Sequence, residues 1–145
     1  MSETSETLLQ NSIEKIEAAY EYMLAYAAQG RKVEPAEGDA SNTPSIRNFL
    51  ENMLWGIENV TQGFAEATQS YSNDAPVSES FENFKTVLAS DVESASAVVG
   101  MALKVPSLSS QLIDNLNASA HLRCLLTDIF VLDEVLKIHQ QKQPE

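Results

Sequence analysis

The chain has 145 residues, 43% hydrophobic and 21% charged, which is the balance of a single globular domain rather than a disordered segment. It carries 21 acidic against 9 basic residues, a formal charge of −12. Residues 1–40, 41–75, 76–105 and 106–145 are each net acidic, so no Lys/Arg cluster exists to displace counterions from a nucleic acid or an anionic membrane. The excess of acid serves solubility and, more specifically, attraction to a basic partner.

Cys124 is the only cysteine, so no intramolecular disulfide can form and a reducing, cytoplasmic setting is expected. Met1 to Leu9 lacks the basic-then-apolar pattern of a secretory signal. No apolar run approaches the roughly 20 residues a membrane helix needs. One domain over 1–145 is expected.

In chain order, the first helix is predicted over about 7–29. Leu9, Ile13, Ile16, Tyr20, Met23 and Ala27 repeat at four and three residues, and Gly30 stands where a helix cap belongs. Residues 30–43, GRKVEPAEGDASNT, are rich in turn formers and read as a long mobile linker. Thr43 and Pro44 suit the cap and first position of a second helix running to about Tyr71. Its seam of Ile46, Leu50, Met53, Ile57, Val60, Phe64, Ala67 and Tyr71 alternates four and three without interruption. That stripe must be covered by other helices.

Residues 72–77, SNDAPV, break the chain. Ser78 suits the cap of a third helix over about 78–104, which Pro106 stops. A fourth is predicted over about 107–140, capped by Ser107, with a frayed tail at 141–145. No segment reads as a strand. The expected fold is therefore all-α: an antiparallel four-helix bundle with helices at about 7–29, 44–71, 78–104 and 107–140.

The later seams carry polar interruptions. Phe81, Phe84 and Leu88 lead by heptad spacing to Asp91, then to Ala95, Val98 and Ala102. Leu108 and Leu112 lead to Asn115 and Ser119, then to Leu122, Leu126 and Ile129. A carboxylate on an apolar face needs a partner. Asp91, Asn115 and Ser119 are accordingly the candidates for a polar site in the bundle core, against the plainer alternative that Asp91 lies at the seam's edge and bonds a neighbour.

Gly56 and Gly63 share one face of the second helix, each at about 1 kcal/mol of lost helix propensity. Either a neighbouring helix approaches closely there or a ligand needs the room. Tyr22 and Tyr26, four apart and off the main seam, join Trp55, Gly56 and Gly63 as candidate interface residues. The alternative for the tyrosines is cover for the bundle's edge.

The usual bundle chemistries have no counterpart. No His follows a Glu by three, as di-iron bundles require, and C-x-x-C-H is absent. His121 and Cys124 share a face, with Asp128 one turn on, but two ligands on one helix make at most half a zinc site. Phosphate loops, G-x-S-x-G and H-E-x-x-H do not occur. No cofactor or metal is expected. The function expected is that of a non-enzymatic acidic helical protein working through protein contacts, as adaptor, chaperone-like or regulatory subunit, with a second copy of the chain as one candidate partner. A ligand-binding bundle and an acidic sequestering partner are the alternatives.

Overall fold

The computed structural model describes residues 7–35 and 45–142. Among them every regular element is helical: α1 (Leu8–Ala28), α2 (Ile46–Ala67), α3 (Ala75–Ala102), α4 (Ser110–Asn117) and α5 (Ala120–Lys142), with one 3-10 turn at Gln69–Tyr71.

Side-chain caps set most of the helix starts. Thr7 accepts from the Gln10 N–H. Ser45 and Asn48 form a reciprocal capping box at α2. The expected Thr43–Pro44 cap lies outside the described residues. Asp74 caps α3, with Pro76 in its first turn, so that helix begins earlier than a cap at Ser78 would place it. At the end of α1, Gly30 takes φ +67, the left-handed geometry that favours glycine. The predicted second helix stops at Ala67 and tightens into the 3-10 turn before Tyr71.

The α2 seam is the centre of the core. Ile46, Leu50, Met53, Ile57, Val60 and Phe64 are all essentially inaccessible, and Tyr71 is buried beyond them. In α1, Leu9, Ile13, Ile16 and Met23 are buried as spaced, but Ala19 and Tyr26 go deeper than Tyr20 and Ala27. The cause lies far along the chain. The Tyr26 hydroxyl donates to the Leu108 carbonyl at 2.6 Å, which turns the ring inward.

Residue pairs show that neighbouring helices run antiparallel. Gly63 lies against Leu9 and Gly56 against Ser12 and Ile16. Phe64 packs edge-on against Phe81 and Phe84, each at 5.6 Å, while Arg47 reaches Leu103 at the other end of α3. Phe81 meets His139, and Met23 and Tyr26 meet the α4 segment at Asn117 and Ser110.

The predicted fourth helix is divided. α4 ends at Asn117 and α5 begins at Ala120. Asn117 turns its side-chain amide to the Met23 carbonyl at 3.3 Å, and the Ser119 hydroxyl accepts from the Leu122 N–H at 3.5 Å. Asn and Ser favour such side-chain bonds over helix continuation. The break also resets the helical phase. In α4 the buried residues are Ser110, Ile113 and Leu116, one position off the predicted Leu112–Asn115 line. Leu122, Leu126 and Ile129 of the predicted seam are buried in α5.

A polar clasp closes one end of the core. Of the linker expected at 30–43, residues 30–35 are described and bond to the segment that leads into α4, while 36–43 lie outside the described residues. Arg31 and Ser110 exchange backbone and hydroxyl bonds at 2.8 Å, and the Ser110 hydroxyl donates to Tyr26 O at 2.7 Å. Glu34 N–H donates to the Ser107 hydroxyl at 2.8 Å, so Ser107 serves the linker and Ser109 caps α4. At the centre, Arg47 donates two bonds to the Glu34 carboxylate, at 2.8 and 3.0 Å. It donates two more to the Leu103 and Val105 carbonyls, at 2.8 and 3.1 Å.

Tyr26→Phe removes one buried donor from this end and leaves the Leu108 carbonyl short of it. A loss of about 1 kcal/mol in urea unfolding is expected. Burial first, and the nearby Glu34 charge second, push the Tyr26 phenol up, so it keeps its proton across ordinary pH.

Candidate functional site

The α3 helix buries Phe81, Leu88, Ala95, Val99 and Ala102. Asp91 therefore falls beside the core stripe rather than within it, half-buried and turned toward α5. Its neighbour there is Asp128. Asn115 is exposed on α4 and Ser119 occupies the α4–α5 joint, and neither lines the groove that Asp91 does. The phase change at the joint is the reason: the spacing that aligned Asn115 with Leu122 assumed one continuous helix.

The antiparallel pairing of α3 and α5 leaves an open groove of ≈ 430 Å³ lined by Asp91, Arg123, Cys124, Thr127 and Asp128, with Ala118 and Ala120 at the joint. The Asp128 Oδ2 atom is buried and finds no donor among the described residues. Two ionised carboxylates cannot bond one another, but a proton on either converts their contact into a hydrogen bond. Burial first, then Asp91, push the Asp128 carboxyl up to about 7.

A second pocket between α3 and α5, on the Tyr71 side and with Ser80 at its rim, is mainly apolar. It measures ≈ 180 Å³ and is lined by Phe64, Phe81, Phe84, Val131 and Val135. Val87 precedes Asp91 by one turn and Val131 follows Asp128 by one turn, so antiparallel pairing puts both at the same level of the α3–α5 seam. Val87 is 49% exposed and Val131 52%, with Ile138 at 44% farther along α5; Phe130, 52% exposed, lies on the opposite flank of that helix. Val87, Val131 and Ile138 leave apolar surface in water along this side.

The candidate interface residues have mostly moved indoors. Gly56 and Gly63 are buried under α1: a Cβ on Gly63 would lie 2.7 Å from Leu9 Cα, and one on Gly56 2.6 Å from Ser12 O. Close helix approach, not room for a ligand, accounts for both. Tyr26 is buried, and Tyr22 stacks on Phe49 with centroids 4.3 Å apart, covering the bundle's edge. Trp55 remains at the surface, 37% exposed, beneath the Lys15 ammonium at 5.7 Å.

His121 and Cys124 are both exposed; Cys124 opens onto the groove with Asp128. No group of three or more His, Cys, Asp or Glu among the described residues could hold a metal ion. No helix among them is long and apolar enough to cross a membrane.

Asp128 and Val131 are the residues that sequence reasoning missed as parts of this site. A second stripe, Cys124, Asp128, Val131, Val135 and Ile138, has the same four-three spacing as the core seam and could have pointed to them. No family model, curated protein or solved structure matches the chain.

Proposed function

We propose that this chain is a non-enzymatic helical interaction protein of the cytoplasm, built as an antiparallel four-helix bundle whose fourth member is α4 and α5 in series. Its docking face is the outer side of α3 and α5. The observation that carries this reading is the exposed set Val87, Val131 and Ile138 along the side of α3 and α5 that holds the pocket at Phe84 and Val135. Covering such apolar side chains with a partner removes them from water, which favours association.

Charge selects the partner's chemistry. Glu79, Glu82, Glu93, Asp133 and Glu134 lie on the same two helices, and the net charge of −12 repels a second copy of the chain. A partner segment with an apolar face and basic flanks fits both features.

The test is capture from the native host with wild-type protein and with Val87→Lys/Val131→Lys, after circular dichroism has matched their melting. A specific basic partner is held by the wild type, released as salt rises, and weakened at least about tenfold by the double substitution. Equal retention by both proteins would place the contact elsewhere. Light scattering on the same samples decides between a separate partner and self-association.

A second reading is favoured by the polar half of the groove. Arg123, Thr127 and the two aspartates there form a mixed-charge recess able to take a small polar molecule. Mass spectrometry of protein purified from the native host under non-denaturing conditions tests it. A retained molecule that Asp128→Asn releases supports the ligand; none counts against it.

A further inference from the structure

We propose that Asp91 and Asp128 form a proton-linked latch: one shared proton holds α3 to α5 along the groove, and its loss lets the two helices part. This rests on the pairing of the helices and not on the docking partner, so either reading can fail alone.

The geometry favours a shared proton: Asp91 and Asp128 line one groove. Asp91 and Asp128 face each other across two packed helices, and Asp128 Oδ2 is buried without a donor. The groups that could relieve the pair are few. Arg123 and the Cys124 thiol line the same groove from α5, and the α4–α5 joint contributes Ala118 and Ala120. On α3, Asp91 itself is the charge in contact. On α1, Glu17 faces Asp133 and Lys137, farther along α5. None of these supplies the missing donor to Oδ2 in the structure.

The direction of the linkage follows. Burial and Asp91 raise the folded carboxyl to about 7, against an ordinary value of 3.8. The folded chain therefore keeps a proton that the unfolded chain has released. The stabilisation is fully present below the ordinary carboxylate range and is lost as pH rises through about 7. Above it, two like charges sit across the seam between α3 and α5, and splaying the helices is the simplest relief.

Carbon-13 NMR of the side-chain carboxyls in the full chain gives the first readout. A midpoint near 7 at Asp128 is expected. Backbone amide exchange, corrected for its intrinsic pH dependence, gives the second. Between about pH 5.5 and about pH 8, exchange near Asp91 and Asp128 should accelerate at least about tenfold in the wild type. Asp128→Asn should abolish that difference, because an amide donates to Asp91 at every pH. Should that variant not fold, Asp91→Asn is read in the same way, since its amide donates to Asp128. A wild-type midpoint below about 5, or exchange in α3 and α5 that ignores pH, would overturn the latch.

Discussion

Gly63→Ala should lower the stability of this protein by about 2 kcal/mol, measured as the shift in a urea unfolding midpoint. The new Cβ would lie 2.7 Å from Leu9 Cα and 2.8 Å from Leu9 N. Those are backbone atoms, and no rotamer change can withdraw them. α1 must move outward, which disturbs the contacts of Leu9, Ile13 and Ile16 with the α2 seam. The alanine gains about 1 kcal/mol of helix propensity, which offsets part of the overpacking. Gly56→Ala should follow the same direction, since Ser12 O is 2.6 Å away.

Gly100→Ala is the control. It sits in α3 with nothing within 4 Å of its added carbon, so the propensity gain acts alone. Stabilisation by about 1 kcal/mol is expected. Similar effects at all three positions would mean that α1 and α2 are not in such close contact.

Arg47→Met should cost about 3 kcal/mol in the same assay. The arginine donates to both Glu34 oxygens and to the Leu103 and Val105 carbonyls. Methionine fills similar volume but donates nothing. Glu34, with its side chain only 14% exposed, would keep a charge with its main partner gone. The pair is not fully dry, which places the effect at the lower end of the range for broken buried pairs. Adding Glu34→Gln should recover part of the loss by removing that charge, giving a clearly non-additive double-mutant cycle.

The pH dependence of the clasp runs opposite to that of the aspartate latch. The hydrogen bond from Arg47 is the largest influence holding Glu34 below its ordinary 4.5, against the opposing effect of burial. The folded group has thus given up a proton that the unfolded chain binds. Its contribution is present above the ordinary carboxylate range and lost as pH falls through the depressed folded value. Wild-type protein should lose stability toward acid more steeply than Arg47→Met.

These two sites differ in how well they could be foreseen. Gly56 and Gly63, a heptad apart on an otherwise good helix, already suggested close approach, and α1 supplies it. Arg47 gave no such warning. A single basic residue at the start of α2 looks like solvated surface until Glu34, Leu103 and Val105 are brought around it. The groove lies between these cases. Asp91 stood out as a carboxylate beside an apolar seam, but its partner was sought at Asn115 and Ser119 because one helix was assumed where there are two. The Asn117–Ser119 break changes the phase of α4, which takes Asn115 out of line, while α5 keeps the predicted phase and sets Asp128 beside its buried stripe, toward Asp91.

By itself the sequence determined that the chain is helical, where three of its long helices lie, and which face of α2 is buried from Ile46 to Phe64. Those properties are local: they follow from side-chain period, capping residues and chain breakers within a few turns. The tertiary structure alone decided that the fourth helix divides, that Tyr26 turns inward to Leu108, that Arg47 ties three segments together, and that two aspartates share a groove. Each of those depends on partners distant in sequence whose approach sets which local preference prevails. The acid groove and its valine flank belong to this second group, because a heptad pattern marks which residues share a helix face but not which helix will lie across from them.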